Sequence, residues 1–409
     1  MFKNSYIITN RTRVDATSYN DIKPLDGGKM WFYNAMGQYT SDASAYHTSL
    51  SPSAETRPTA FYLNALAQDL LTTKDANGKA HLCVLIEGLG NLFNQNVAYL
   101  ANLGQYLAAY SSYKGLVIGF DWPSYGGFDS ALHYASGRGF PPTATSGTIR
   151  DNINGSTDAF VNFVGTLQSL KDLLQGQLVV DVICHSEGNY MMALGMRAVA
   201  AAGLTSLPLR QVMLCAADIN NAALDISRLG PEGQYVGWGS HIAKNVDRVT
   251  VYYSAHDAAL QLSENALGGS HNAVFPGRLG YEGPHSVAAL EKNVVPVDCT
   301  HVVNVDEVER LGKLGYLPSS FLTTPDSVNG STHLLYMYTP QILQDLAQAM
   351  AGAATVEHRV ANGDGSSTMQ LVTNIPKATI PPVTIPADAT SFFTGAKKLT
   401  HDKPDGTKH

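Results

Sequence analysis

The chain has 409 residues, enough to bury a large core, and 44% of them are apolar. Only 15% are charged, with 27 Lys and Arg against 34 Asp and Glu, for a net charge of −7. That balance argues against a general nucleic-acid or anionic-membrane binder, which needs a basic face.

The four cysteines, Cys83, Cys184, Cys215 and Cys299, lie in or at the ends of apolar runs. They form no CxxC pair and no Cys/His zinc spacing, so neither a disulfide scaffold nor a zinc site is expected. The opening MFKNSYIITNRTRVD lacks the apolar h-region of a signal peptide. No run approaches the roughly 20 apolar residues of a membrane span. A cytoplasmic location without a transmembrane segment is the expectation, and oligomeric state is not legible.

Residues 1–80 are rich in Tyr, Ser and Asn and carry a short strand candidate at Tyr6–Thr9 and an amphipathic piece at Phe61–Leu71. They read as an extension packed on a core spanning 81–353. In that core, apolar strand candidates fall at His81–Ile86, Gly115–Phe120, Leu178–Ile183, Gln211–Ala216, Val249–Tyr253 and Val294–Asp298. Helical patterns lie between them at Leu92–Tyr110, Gly147–Leu174, Asn189–Ala201 and Ala258–Leu267. Continuous apolar strands alternating with helices predict an α/β fold, a mostly parallel sheet with helices on both faces. A last helix starts at Thr339-Pro340, an N-cap followed by Pro at the first helical position. Residues 354–374 suggest a hairpin around Asn362-Gly363-Asp364-Gly365, and the Pro-rich 375–409 reads as an extended tail.

Ser186 stands where the run Leu178–Ile183 breaks into Cys184-His185-Ser186-Glu187-Gly188 and a helix begins. A hydroxyl there is either a helix cap or a nucleophile. The second reading follows the logic of the nucleophile elbow, where small residues two positions either side relieve a sharp strand-to-helix turn. Here those positions hold Cys184 and Gly188. The helix start would offer the Glu187 N–H to an oxyanion, and the loop Glu87-Gly88-Leu89-Gly90 after the first core strand would offer that of Leu89. A dinucleotide signature fails in that loop, because Phe93 stands where a third Gly is needed.

A serine nucleophile requires a base and an acid. Asp257 follows strand Val249–Tyr253, and His333 precedes the final helix, giving the order Ser, Asp, His. Ser186 would attack, His333 shuttle the proton, and Asp257 fix the tautomer and stabilise the imidazolium. His301, directly after the last core strand, is the alternative base. Asp218, after Gln211–Ala216, is the alternative acid, although an Asp at a strand end is commonly a turn former. Trp122, Tyr125 and Tyr190 lie near the ends of these strands and either line an acyl pocket or belong to the core. The long segments Gly126–Gly147 and Gly268–Pro284 are lid or pocket candidates.

These pieces, in their order, resemble the α/β-hydrolase superfamily and within it the bacterial esterase/lipase-like group typified by domain of unknown function 900. The matching stretches are Ile7–Arg11, Glu87–Asn91, Phe120–Ser124, His185–Asn189, Ala217-Asp218-Ile219, Asp257–Leu260 and His333 before the last helix. The resemblance implies a serine hydrolase acting on a small-molecule or lipid ester, without a cofactor or metal, and favours His333 as base. A thioesterase or amidase is the nearest alternative, and a catalytically weak binding protein of the same fold is the other.

Two departures keep that last reading open. The group usually has His where this chain has Glu87, and often Met where it has Glu187. One ionised carboxylate at roughly 6 Å would disfavour an oxyanion by about 3 kcal/mol at an effective dielectric near 20, on the order of a hundredfold in rate. Either both side chains brace the structure, or the activity is changed.

Overall fold

A computed structural model describes residues 4–13, 19–24, 28–36, 60–88, 93–110, 113–124, 149–204, 207–226, 237–268, 277–317, 322–352 and 358–371. Among them, the strands are β1 (Asn4–Thr9), β2 (Arg11–Arg13), β3 (Tyr19–Pro24), β4 (Trp31–Met36), β5 (Ala80–Ile86) and β6 (Leu116–Asp121). They continue with β7 (Leu178–His185), β8 (Leu209–Cys215), β9 (Arg248–Tyr253), β10 (Val294–Asp298), β11 (Arg359–Ala361) and β12 (Ser367–Met369). Ten of them form one sheet in the order β11-β12-β10-β9-β8-β7-β5-β6-β1-β4, and β2 and β3 pair separately.

From β1 to β12 every neighbouring pair in that sheet is parallel, and the two outermost strands, β4 and β11, are antiparallel additions. Side chains of β5 to β8 are almost wholly buried, as expected of strands covered on both faces. The six core strands read from apolar runs all form. Strand β7 extends two residues further than its apolar run, to His185, because Cys184 and His185 still pair with Leu214 and Cys215 of β8.

The helices flanking these strands are α1 (Ala60–Leu71), α2 (Phe93–Tyr110), α3 (Ile149–Leu173), α4 (Gly188–Ala201), α5 (His241–Lys244) and α6 (Ala258–Gly268). After them come α7 (Leu279–Glu282), α8 (Val305–Lys313), α9 (Pro325–Ser331) and α10 (Pro340–Met350). Two apolar layers result. One holds Phe120, Phe160, Phe163, Met191 and Leu214 with α1, α3 and α4. The other holds Leu103, Leu107, Met213, Tyr252, Leu343 and Leu346 with α2, α8 and α10. None of the described helices is long and apolar enough to cross a membrane.

Strand β1 is an integral member of the sheet, hydrogen-bonded to β6 on one side and β4 on the other. A polar composition hides this, because only Tyr6, Ile7 and Ile8 supply its buried apolar surface. Its end is fixed by a buried ion pair. The Arg11 guanidinium donates to Asp121 at the end of β6 at 2.7 and 3.0 Å, and Thr9 donates to the same carboxylate at 2.5 Å.

At the other edge, β12 docks on β10, and Arg359 on β11 reaches back to Asp345 of α10 at 2.6 Å. The segment before the final helix is also more regular than its Gly and Ser content suggests. Residues Pro325–Ser331 form a helix with a Thr324/Ser327 capping box, and Thr332–Met337 continue as a 3-10 turn. The tail 375–409 and the segment Gly126–Gly147 fall outside the described residues, as do 269–276 of the second lid candidate.

Candidate active site

The turn at Ser186 is sharp in the way its neighbours require. Ser186 has φ +55°, a left-handed conformation that costs a non-glycine residue about 1–3 kcal/mol and persists only where the surroundings over-determine it. Three contacts do so. The Ser186 N–H donates to the Cys215 carbonyl at 3.1 Å, and its own carbonyl accepts from the Asp218 N–H at 3.3 Å. The Asn189 side-chain amide donates to the carbonyls of Ser186, Cys184 and Cys215 at 2.8, 3.3 and 3.1 Å.

Capping does not account for the hydroxyl. Helix α4 has Glu187 at its N-cap, with no side-chain cap bond. The Ser186 hydroxyl itself makes no hydrogen bond among the described residues, and the residue is half-buried.

Glycine is needed at two places around this turn. A Cβ on Gly188 would sit 2.1 Å from the Ile86 carbonyl oxygen, so helix α4 begins in direct contact with the end of β5. A Cβ on Gly88 would sit 2.9 Å from both Ser186 Oγ and the Glu187 N. The loop after β5 therefore passes right over the hydroxyl and the Glu187 N–H at the start of the helix. Leu89, the other expected oxyanion donor, falls outside the described residues.

Asp257 lies just past β9, fully buried, and its carboxylate accepts the Leu260 N–H at the start of α6 at 3.0 Å. Both of its oxygens lie 2.9 Å from His333 Nδ1. His333, in the 3-10 turn, is 7% exposed, and its ring packs against that of His185 at 4.8 Å between centroids. His185 immediately precedes Ser186, so the Asp257–His333 pair is brought to the strand end that carries the hydroxyl.

His301 and Asp218, the alternative base and acid, have partners of their own outside the Asp257–His333 pair. His301 is exposed in the turn after β10, where its carbonyl accepts from Asn304. Asp218 accepts from Ser263 Oγ at 2.9 Å and faces Arg278 Nε at 3.3 Å.

The two carboxyl groups beside the turn are both partnered. Glu87 Oε2 accepts its neighbouring Gly88 N–H at 3.2 Å and lies 3.0 Å from His185 Nδ1. Burial alone would push the His185 imidazole down, but the charge and hydrogen bond of Glu87, with the His333 carbonyl, carry it above its ordinary value. Glu187 is wholly buried. Burial raises its carboxyl well above the usual range, the neighbouring Asp218 raises it further through charge and a shared hydrogen bond, and Arg278 only partly offsets this. Burial and Asp218 together thus favour the neutral form of Glu187.

The aromatic candidates divide. Trp122 is 1% exposed and its indole N–H donates to the Glu87 carbonyl at 2.8 Å, so it belongs to the core beneath the loop after β5, not to an open pocket. Tyr190 is likewise a core residue, packed on Trp238 at 5.1 Å. Tyr125 falls outside the described residues.

Sequence reasoning places His185 beside the site as a residue that packs or hydrogen-bonds locally, and does not foresee its bonds to Glu87 and the His333 carbonyl. The only signal was its place next to Ser186, and its two partners are remote in the chain.

A mostly parallel sheet with helices on both faces and a strained strand–turn–helix serine at the end of a central strand define the α/β-hydrolase fold. The chain belongs to the family described as alpha/beta hydrolase of unknown function (DUF900), whose model matches residues 64–328. No curated protein matches the chain.

Two solved structures are similar in part. One is a putative hydrolase from Legionella pneumophila subsp. pneumophila str. Philadelphia 1, at 11% identity over 68% of this chain and 82% of that one, with a TM-score of 0.26. The other is an uncharacterized protein from Pseudomonas aeruginosa, at 10% identity over 87% of this chain and 56% of that one, with a TM-score of 0.28. Superpositions this loose carry no argument about residue roles.

Proposed function

We propose that this protein is a serine hydrolase that cleaves carboxylic esters through an acyl-enzyme intermediate, with Ser186, His333 and Asp257 as its catalytic residues. The observation that carries the reading is the buried Asp257–His333 pair, delivered against the residue preceding a strained, half-buried serine whose hydroxyl takes no other partner among the described residues.

In the reaction, the Asp257 carboxylate holds the proton on His333 Nδ1, which leaves Nε2 as the basic nitrogen. Ser186 Oγ attacks the ester carbonyl as its proton passes to His333 Nε2. In the apo state that hydrogen bond is not formed, and it tightens in the substrate complex. The tetrahedral oxyanion takes the Glu187 N–H at the start of α4, with the Leu89 N–H as second donor. Collapse expels the alcohol, protonated by His333. Water, deprotonated by His333, then releases the acid and restores Ser186.

The carboxyl groups of Glu87 and Glu187 are the grounds for binding without catalysis. With Glu87 against an imidazole and burial favouring the neutral form of Glu187, both weigh less against an oxyanion there.

A fluorophosphonate probe tests the reading. Wild type should be labelled and Ser186→Ala should not. Labelling that survives in Ser186→Ala would remove this serine from the site. Among the histidines, His333→Ala should abolish p-nitrophenyl ester turnover, while His301→Ala should stay within about twofold of wild type. The reverse pattern would sink the assignment of the base.

A further inference from the structure

The ring of His185 is bonded at both nitrogens, and its two partners belong to the other two parts of the proposed machinery. Nε2 lies 2.9 Å from the main-chain oxygen of His333, in the turn that carries the base. Nδ1 lies 3.0 Å from Glu87 Oε2, in the loop that lies over Ser186. His185 itself is the last residue of β7, one step before the serine. One buried ring thus touches the strand of the nucleophile, the loop of the oxyanion site and the turn of the base.

The protonation state of that ring follows from its partners. A carbonyl oxygen only accepts, so Nε2 carries a hydrogen. A neutral ring would then present a lone pair at Nδ1 to a carboxylate oxygen, which is repulsive. A proton moved to Glu87 Oε2 would make that oxygen a hydroxyl, a poorer acceptor for the Gly88 N–H it already takes. The remaining arrangement is imidazolium against carboxylate, with both ring N–H groups donating.

The groups facing His185 agree. Glu87 comes from the loop after β5, Asp257 from the turn after β9 and the His333 carbonyl from the 3-10 turn, and all three favour the charged ring. Across the ladder its partner in β8 is Cys215, a buried thiol that burial keeps protonated.

We propose that His185 acts as a doubly protonated clamp, a positioning residue that ties the Glu87–Gly88 loop to the turn of His333 and so holds the base over Ser186. This rests on the hydrolase reading above and adds a pH limit to it. When His185 loses its Nδ1 proton, the ring and Glu87 repel, the loop and the turn come apart, and turnover falls on the alkaline side.

Two measurements test the clamp. In ring-nitrogen NMR spectra of the full-length 15N-labelled protein at pH 7.5, with the signals assigned by their loss in His185→Gln, both His185 nitrogens should be protonated. A lone-pair nitrogen there would overturn the proposal, and this readout needs no activity and no altered Glu87.

In steady-state kinetics on a p-nitrophenyl ester, Glu87→Gln should move the alkaline limb of kcat to lower pH by about one unit or more, since the carboxylate that stabilises the cation is gone. KM should change less than twofold. A loss of activity that scales every pH equally, with the limb in place, would make Glu87 merely structural and overturn the clamp. If wild type takes no fluorophosphonate label, the hydrolase reading fails by itself, and the NMR result still decides the charge of His185.

Discussion

Two polar chains leave the Ser186 turn and give a carboxyl group different partners. Toward the base, Glu87 faces an imidazole at 3.0 Å, and the chain runs on through the His185 and His333 rings to Asp257. Toward α6 and α7, Glu187 is buried against Asp218, which disfavours its charged form, while Arg278 and Ser263 serve Asp218. The first chain sets its carboxyl group against an imidazole, a group that can lose its proton. The second ends on a guanidinium that does not. Both lie next to the same serine, so proximity alone does not set a residue's chemistry; the ionisable partner does.

The sharpest way to break that contrast is to neutralise one acid in each chain. Asp257→Asn, which would leave the His333 tautomer unfixed, should lower kcat by about 10⁴-fold with the fold retained. Asp218→Asn, which lies on the other chain, should lower it by less than about tenfold. Comparable losses in the two variants would refute the division of labour.

Stability separates the chains next. Arg278→Met removes a cation from a buried pair of acids, and breaking a buried ion pair on one side costs about 3–5 kcal/mol. Urea unfolding of this variant should show a loss near the lower end of that range. An unchanged midpoint would mean that Glu187 and Asp218 share a proton well enough without it.

The smallest effect is a gain. Glu187 has a raised folded pKa, so above its unfolded value near 4.3 folding must bind a proton, a cost that grows with pH. Glu187→Gln keeps a donor for Asp218 without that cost. It should therefore raise Tm at pH 7, and the gain should vanish near pH 4, where the carboxyl is protonated in both states. Equal Tm values at pH 7, or a gain that persists at pH 4, would show that Glu187 is not held neutral.

Much of the sheet was legible because its signals are local. Six apolar runs became β5 to β10 since β-branched and aromatic residues on a doubly covered strand need no distant partner to declare themselves. The turn at Ser186 was legible for the same reason, as Gly188 and the change of pattern sit within a few residues of it. Strand β1 was harder. Its place between β6 and β4 depends on pairing with Asp121 and Trp31, and its polar flanks disguise it as an extension. The helix over Pro325–Ser331 was hidden by Asn, Gly and Ser, and it forms through a Thr324/Ser327 capping box.

By itself, then, the sequence determined the alternation of strands and helices and the strained serine at the end of β7, because hydrophobic period and turn chemistry act over a few neighbours. Tertiary structure alone decided which histidine meets Asp257, that Glu87 faces an imidazole and Glu187 an acid, and that Trp122 is core. Those outcomes join residues far apart in the chain or on separate loops. Their charges are set by burial and by the group that happens to lie within hydrogen-bonding reach, and neither quantity exists until the chain has closed on itself.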